Sequence, residues 1–241
     1  MPNSWFQFKQ FRVAQDRCAM KVSTDACIQG AWTARQLHNL PPVHRILDIG
    51  TGTGLLSLML AQEQEQVTID AIELNEDAAL QAAENFLASP WNSRLKALHT
   101  ALSDFGSRPG QYDLIICNPP FFHNQLGSER RARHDARHST ALNKDSLARA
   151  IAMLLHEKGY GSIMYPLSEW DDWLATAARH GLYPAAVLAI HPGNHTAANR
   201  MIGIFSRAAQ PYETSDMVIY EDDRSYTAMF RELLKSYYLY L

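Results

Sequence analysis

At 241 residues, with 46% apolar and 20% charged side chains, the chain can bury one sizeable core and is too mixed for a disordered or fibrous protein. Lys and Arg number 22 against 25 Asp and Glu, a net charge of −3, so a nucleic-acid partner would have to be met by a local basic patch rather than by an overall basic surface. No apolar stretch is long enough to cross a bilayer, and Met1 to Gln10 carries no apolar leader. Cys18, Cys27 and Cys117 are too few and too unevenly spaced for a disulfide framework or a zinc knuckle, so a reducing cytoplasm is expected, with no membrane partner.

In chain order, residues 1–39 stand outside any repeating pattern. They run from Lys9 through Val22 into Ser23-Thr24-Asp25 and a helix-like stretch holding Gly30-Ala31-Trp32. This part is expected to form a cap on the substrate side of a single globular unit spanning 40–241. A strand at 44–49, a helix at 54–64, a strand at 67–73 and a helix at 76–88 follow. Ala78, Ala79, Ala82, Ala83, Phe86 and Leu87 recur at helical spacing and predict the inward face of that helix. Strands are predicted at 94–99 and 112–117. A helical stripe then runs through Leu147, Ile151 and Leu154 to a stop at Gly159, followed by a strand at 160–165. Ser168 with Asp171 suits a capping box for the next helix, whose Trp170 and Trp173 face inward. The tail offers strands at 187–190, 201–205 and 217–220, too close together for a helix between the first two, as in an antiparallel pair at a sheet edge.

Strands alternating with helices predict an α/β fold: a seven-stranded, mostly parallel Rossmann-like sheet with an antiparallel edge strand and helices on both faces. The first strand ends in Asp48-Ile49-Gly50-Thr51-Gly52-Thr53-Gly54. Glycines at a strand-to-helix turn let a ligand approach the backbone, and the helix start offers free N–H groups. The spacing is G-x-G-x-G, with Leu55 where a dinucleotide fingerprint would carry its third glycine. Glu73 ends the second strand, where a carboxylate can accept hydrogen bonds from both hydroxyls of a ribose.

Asn118-Pro119-Pro120-Phe121 follows the fourth strand. The paired prolines fix φ in succession and hold Asn118 away from helical geometry. One carboxamide and one carbonyl are thereby pinned beside an aromatic ring, a site suited to a planar exocyclic amine. Downstream, Arg130, Arg131, Arg133 and Arg137 cluster with His134 and His138, opposed by Asp135 and Glu129. Their position after the Asn118 loop suits phosphate contacts. The i, i+4 histidines have no carboxylate or thiol set around them, so no metal is expected.

Asp48, the three glycines, Glu73 and Asn118-Pro119-Pro120-Phe121 in this order resemble the class I S-adenosylmethionine-dependent methyltransferases that act on amino groups. With the run from Phe8 through Trp32, Ser89-Pro90-Trp91 and Tyr237-Tyr238-Leu239-Tyr240, nearly the whole chain is similar to the bacterial tRNA1(Val) (adenine(37)-N6)-methyltransferases. The resemblance implies S-adenosylmethionine as cofactor and tRNA as substrate. The adenine next to the anticodon of a valine tRNA would be methylated at N6, and no protein partner is implied. It further implies that Asn118, Pro119, Pro120 and Phe121 hold the amine and base. Asp48, Gly50, Gly52, Gly54, Glu73 and Asp104 would hold the cofactor, and Arg130, Arg131, Arg133 and Arg137 the RNA. The N-terminal cap, read from its residues, would bring Thr24 or Lys21 to the cofactor's methionine carboxylate.

Two residues depart from the family pattern. Phe121 stands where tyrosine is frequent, and Ala101 is followed by Leu102 and Ser103 before Asp104, where an Ala-Asp pair is common. Methylation of guanine N2 in ribosomal RNA or of a glutamine side chain in a protein stays open, since each presents a planar amine. So does a non-catalytic RNA-binding module of the same fold.

Overall fold

The computed structural model describes residues 3–106, 109–119 and 143–241. Short runs rich in Ile, Leu and Val become strands buried on both faces, and the Ala- and Leu-rich segments between them become the helices that cover those faces. A small antiparallel hairpin comes first, β1 (Trp5–Gln7) and β2 (Arg12–Ala14), and α1 (Thr24–Leu37) follows. The alternating part runs β3 (Arg45–Ile49), α2 (Leu55–Glu63), β4 (Thr68–Glu73), α3 (Glu76–Leu87), β5 (Leu95–His99) and β6 (Tyr112–Cys117). Beyond it lie α4 (Lys144–Leu154), β7 (Leu155–Pro166), α5 (Leu167–Arg179), β8 (Tyr183–Gly193), β9 (Arg200–Ser206), β10 (Thr214–Tyr220) and α6 (Ala228–Leu234).

Among the described residues β3 to β10 form one sheet, in the order β10-β8-β9-β7-β6-β3-β4-β5. The α/β class and mostly parallel sheet are as the sequence predicts, but there are eight strands rather than seven. The reversed strand is also not the outermost. β9 runs antiparallel between β7 and β8, and β10 adds outside β8 in parallel register, Met217 opposite Ile190. The pleat sends Ile46, Leu114 and Ile116 into one apolar cluster with α1, α2 and α6, and Leu47, Ile115 and Cys117 into another with α4 and α5. Phe8, Val13, Ile28 and Trp32 from the first 39 residues share the former cluster with Met59 and Phe230.

Several local expectations shift. On α3, Ala83 and Leu87 are exposed, whereas Gln81 and Asn85 are buried. α4 ends at Leu154, and Gly159 lies inside β7, where a Cβ would fall 2.9 Å from the Asp113 carbonyl oxygen. Close strand approach, not helix termination, is therefore what that glycine serves. α5 starts directly from Pro166 with no side-chain cap, so Ser168 and Asp171 lie within the helix. Ser23 and Asn75, by contrast, cap α1 and α3, accepting hydrogen bonds from the Ala26 and Ala78 amides.

Candidate active site

The chain leaves β3 outward through β4 to β5 at the sheet edge, then returns to β6 on the other side of β3. Strand order reverses between β3 and β6, and in open α/β sheets a crevice opens beyond the carboxyl ends at such a point. Ile49 pairs with Cys117, so Gly50 and Asn118 leave neighbouring strands side by side.

Asp48 is fully buried at the end of β3. Its Oδ2 accepts hydrogen bonds from the hydroxyls of Thr51 at 2.6 Å and Ser57 at 2.7 Å, while Oδ1 is buried without a partner. Burial pushes the carboxyl up to about 6; the two hydroxyl bonds oppose that rise and the nearby Glu73 adds to it. The carboxylate thus holds the glycine turn to the first turn of α2.

The turn is tied on its other side to β4. The Gly50 and Thr51 amides donate to the Ile72 carbonyl at 2.9 and 3.1 Å, and the Gly52 amide donates to Glu73 Oε2 at 2.9 Å. Gly50 and Gly52 have φ of +70° and +55°, and a Cβ on either would meet nothing within 4 Å. The absent side chains leave open space above the loop. Gly54 differs: at φ +83° its Cβ would strike Phe86 Cε1 at 2.5 Å, so this glycine lets α3 close on the loop. It is also the N-cap of α2 and brings no side-chain bond, leaving the first amides of that helix uncapped.

Glu73 is half-buried, and its Oε1 takes the Asn75 amide at 3.0 Å. With one backbone bond on each oxygen, the carboxylate keeps lone pairs for further donors. Asn118 Oδ1 is buried and unpartnered at the start of the loop leaving β6. Asp104 ends a 3₁₀ turn, Leu102–Asp104, after β5 and accepts the Ser103 hydroxyl at 3.0 Å. The Thr100 amide binds the Glu73 carbonyl at 2.9 Å, so this turn leaves the sheet beside Glu73. Thr24 opens α1 and is half-buried; its neighbour Asp25 pairs with Arg200 of β9 at 3.1 Å.

Asp48, Gly50, Gly52, Glu73 and Asn118 therefore stand at the carboxyl ends of three adjacent strands. Pro120, Phe121, Arg130, Arg131, Arg133 and Arg137, with His134 and His138, lie outside the described residues. Among the described residues no group of three His, Cys, Asp or Glu side chains gathers for a metal, and no helix is long and apolar enough to cross a membrane. Sequence reasoning missed Thr51 and Ser57, small hydroxyls in and just after the turn. It also missed Gln81 and Asn85, whose only signal is an amide at i and i+4 in phase with an apolar helix face.

Residues 33–141 match the methyltransferase small domain. A tRNA1(Val) (adenine(37)-N6)-methyltransferase of Flavobacterium psychrophilum is 41% identical over 97% of this chain and 99% of its own. The one from Cytophaga hutchinsonii is 41% identical over the whole of both chains, and the one from Pectobacterium carotovorum 38% over 98% and 94%. Among solved structures, a predicted O-methyltransferase from Agrobacterium tumefaciens superposes with a TM-score of 0.65 at 16% identity, covering 88% of this chain and 95% of that one. A putative RNA methyltransferase from Pyrococcus horikoshii gives 0.54 at 17%, over 77% and 84%. Those structures share the fold. The sequence relatives share far more, and on their likeness the chain belongs to the tRNA1(Val) (adenine(37)-N6)-methyltransferase family.

Proposed function

We propose that this protein transfers a methyl group from S-adenosylmethionine to the exocyclic N6 amine of adenine 37 in a valine tRNA. The observation that carries the reading is the unpartnered Asn118 Oδ1, held at the carboxyl end of β6 beside the open glycine turn of β3. A buried carboxamide oxygen without a donor costs free energy, and an incoming N–H removes that cost.

The residues present fit the cofactor. The space over Gly50 and Gly52 admits its methionine part, the uncapped start of α2 suits a carboxylate, and Glu73 has lone pairs for ribose hydroxyls. Asp104 lies in the turn after β5, and Thr24 opens α1, whose Asp25 pairs with Arg200 of β9. When bound, the cofactor supplies an electrophilic methyl group on a sulfonium. The chain's own contribution is to the amine. The Asn118 side-chain oxygen and the Pro119 carbonyl accept its two N–H bonds, drawing the lone pair out of conjugation with the ring. Phe121 stacks on the base, which must leave its neighbours to be reached. Alignment is the main source of rate, and no strong base is required because the methylated amine is acidic. Arg130, Arg131, Arg133 and Arg137 supply phosphate contacts. A tRNA substrate makes the cytoplasm the place of action.

The direct test is nucleoside mass spectrometry of a valine tRNA transcript incubated with the protein and S-adenosylmethionine. 6-Methyladenosine at position 37 is expected. Product on a guanine N2, or on no RNA at all, would refute the assignment.

A further inference from the structure

α3 should, from its alanines, present a plain apolar face. Instead it buries two amides one turn apart, Gln81 at 1% and Asn85 at 4% exposure. Asn85 is satisfied on both ends. Its Oδ1 accepts the Ala14 amide at 2.9 Å, and its Nδ2 donates to the Ala14 carbonyl at 2.9 Å and to the Thr53 carbonyl at 2.8 Å. One side chain thus pairs with the end of β2 as a neighbouring strand would and reaches the glycine turn with its second hydrogen. Gln81 Oε1 accepts the Arg17 amide at 3.0 Å, and the Arg17 guanidinium pairs with Glu84 at 3.0 Å.

The segment so gripped is itself closed. Buried Gln15 donates to the Asn3 carbonyl at 3.0 Å and accepts the Val22 amide at 2.8 Å. Between those ends Cys18 is buried, and its thiol is pushed up to about 11 by burial and by the carboxylates of Glu73 and Asp16. The segment therefore passes within electrostatic reach of Glu73, the carboxylate that also binds the Gly52 amide.

We propose that Asn85 and Gln81 are positioning residues that clasp residues 14–22 as one wall of the S-adenosylmethionine site, so that the clasped state is the cofactor-binding state. This rests on the glycine turn being the cofactor site. A ligand that binds the clasped form better must, by reciprocity, tighten the clasp.

The test uses the full chain and S-adenosylhomocysteine. Calorimetry on wild type, Asn85→Leu and Gln81→Leu is combined with hydrogen exchange of the peptide spanning 14–22. In wild type the ligand should slow exchange in that peptide. Asn85→Leu should weaken binding by about tenfold or more and Gln81→Leu by less, since only Asn85 reaches the turn. A variant that melts earlier yet binds with wild-type affinity, or an exchange rate indifferent to the ligand, overturns the clasp. Should Asn85→Leu fail to fold, Gln81→Leu and the wild-type exchange data decide by the same criteria. A wild type that does not bind S-adenosylhomocysteine overturns the cofactor reading first, and the clasp with it.

Discussion

Oδ2 of Asp48 accepts the Ser57 hydroxyl at 2.7 Å, binding the end of β3 to the first turn of α2 across nine residues. The carboxyl that makes this bond titrates near 6 in the folded chain against 3.8 when free. Between those values the folded state keeps a proton that the unfolded state has released, so this group's contribution to stability falls as pH rises from about 4 to about 6 and is level above. Asp48→Asn retains one oxygen for both hydroxyls and does not titrate. Its unfolding free energy relative to wild type should therefore rise by roughly 3 kcal/mol across that window, superimposed on a constant offset. Denaturant melts at several pH values check it, and parallel curves for the two proteins would contradict it.

The glycines of the turn should separate by role. Gly50→Ala and Gly52→Ala add a methyl to open space at positive φ, costing about 1 kcal/mol of stability while obstructing the ligand. Affinity for S-adenosylhomocysteine should fall much further than the melting temperature does. Gly54→Ala drives a Cβ against Phe86 and should show the reverse balance. Trimming the ring with Phe86→Leu in the same chain should then recover part of the lost stability.

Asn118→Ala should lower methyl transfer on the order of a hundredfold, the usual cost of deleting one positioned hydrogen-bonding group at a reacting centre. Cofactor affinity should stay close to wild type. Because Oδ1 is buried and unpartnered, its loss should leave the melting temperature unchanged or higher. Calorimetry with S-adenosylhomocysteine beside single-turnover assays tests both halves; a drop in affinity equal to the drop in rate would remove Asn118 from the amine.

His191, at the end of β8, faces an oxygen with each ring nitrogen: Thr196 O at 2.9 Å and Asp216 Oδ1 at 2.8 Å. Only the imidazolium donates to both. The Thr196 carbonyl and then Asp216 raise its pKa above 6.5, so the stability it brings is complete below 6.5 and fades as pH climbs through the raised value. Asp216 is largely exposed, which limits the effect to less than about 1 kcal/mol. His191→Gln should lower the melting temperature at about pH 5.5 and leave it nearly unaltered at about pH 9. An equal loss at both would assign the residue a purely packing role.

Most of the architecture was readable from local pattern. The boundaries of β3, β4 and β6 follow their apolar runs. The reversed strand was placed at the edge because pairing partners are a property of space. Nothing within 214–220 itself announces that it lies outside β8. On α3, periodicity counted alanines and passed over Gln81 and Asn85, since apolar phase says where a face is buried but not what its polar members hold.

Motif order, strand–helix rhythm and glycine spacing are one-dimensional, and for that reason the residues alone declared a mostly parallel α/β sheet with a glycine turn after its first strand. The folded molecule decided which groups meet: Asn85 joins residues 71 and 32 positions away in the chain, and Gly54 lies against the Phe86 ring. Hydrogen bonds and steric contacts act over a few ångströms of space, and only the packing of α3 on the turn brings those distant atoms within that reach.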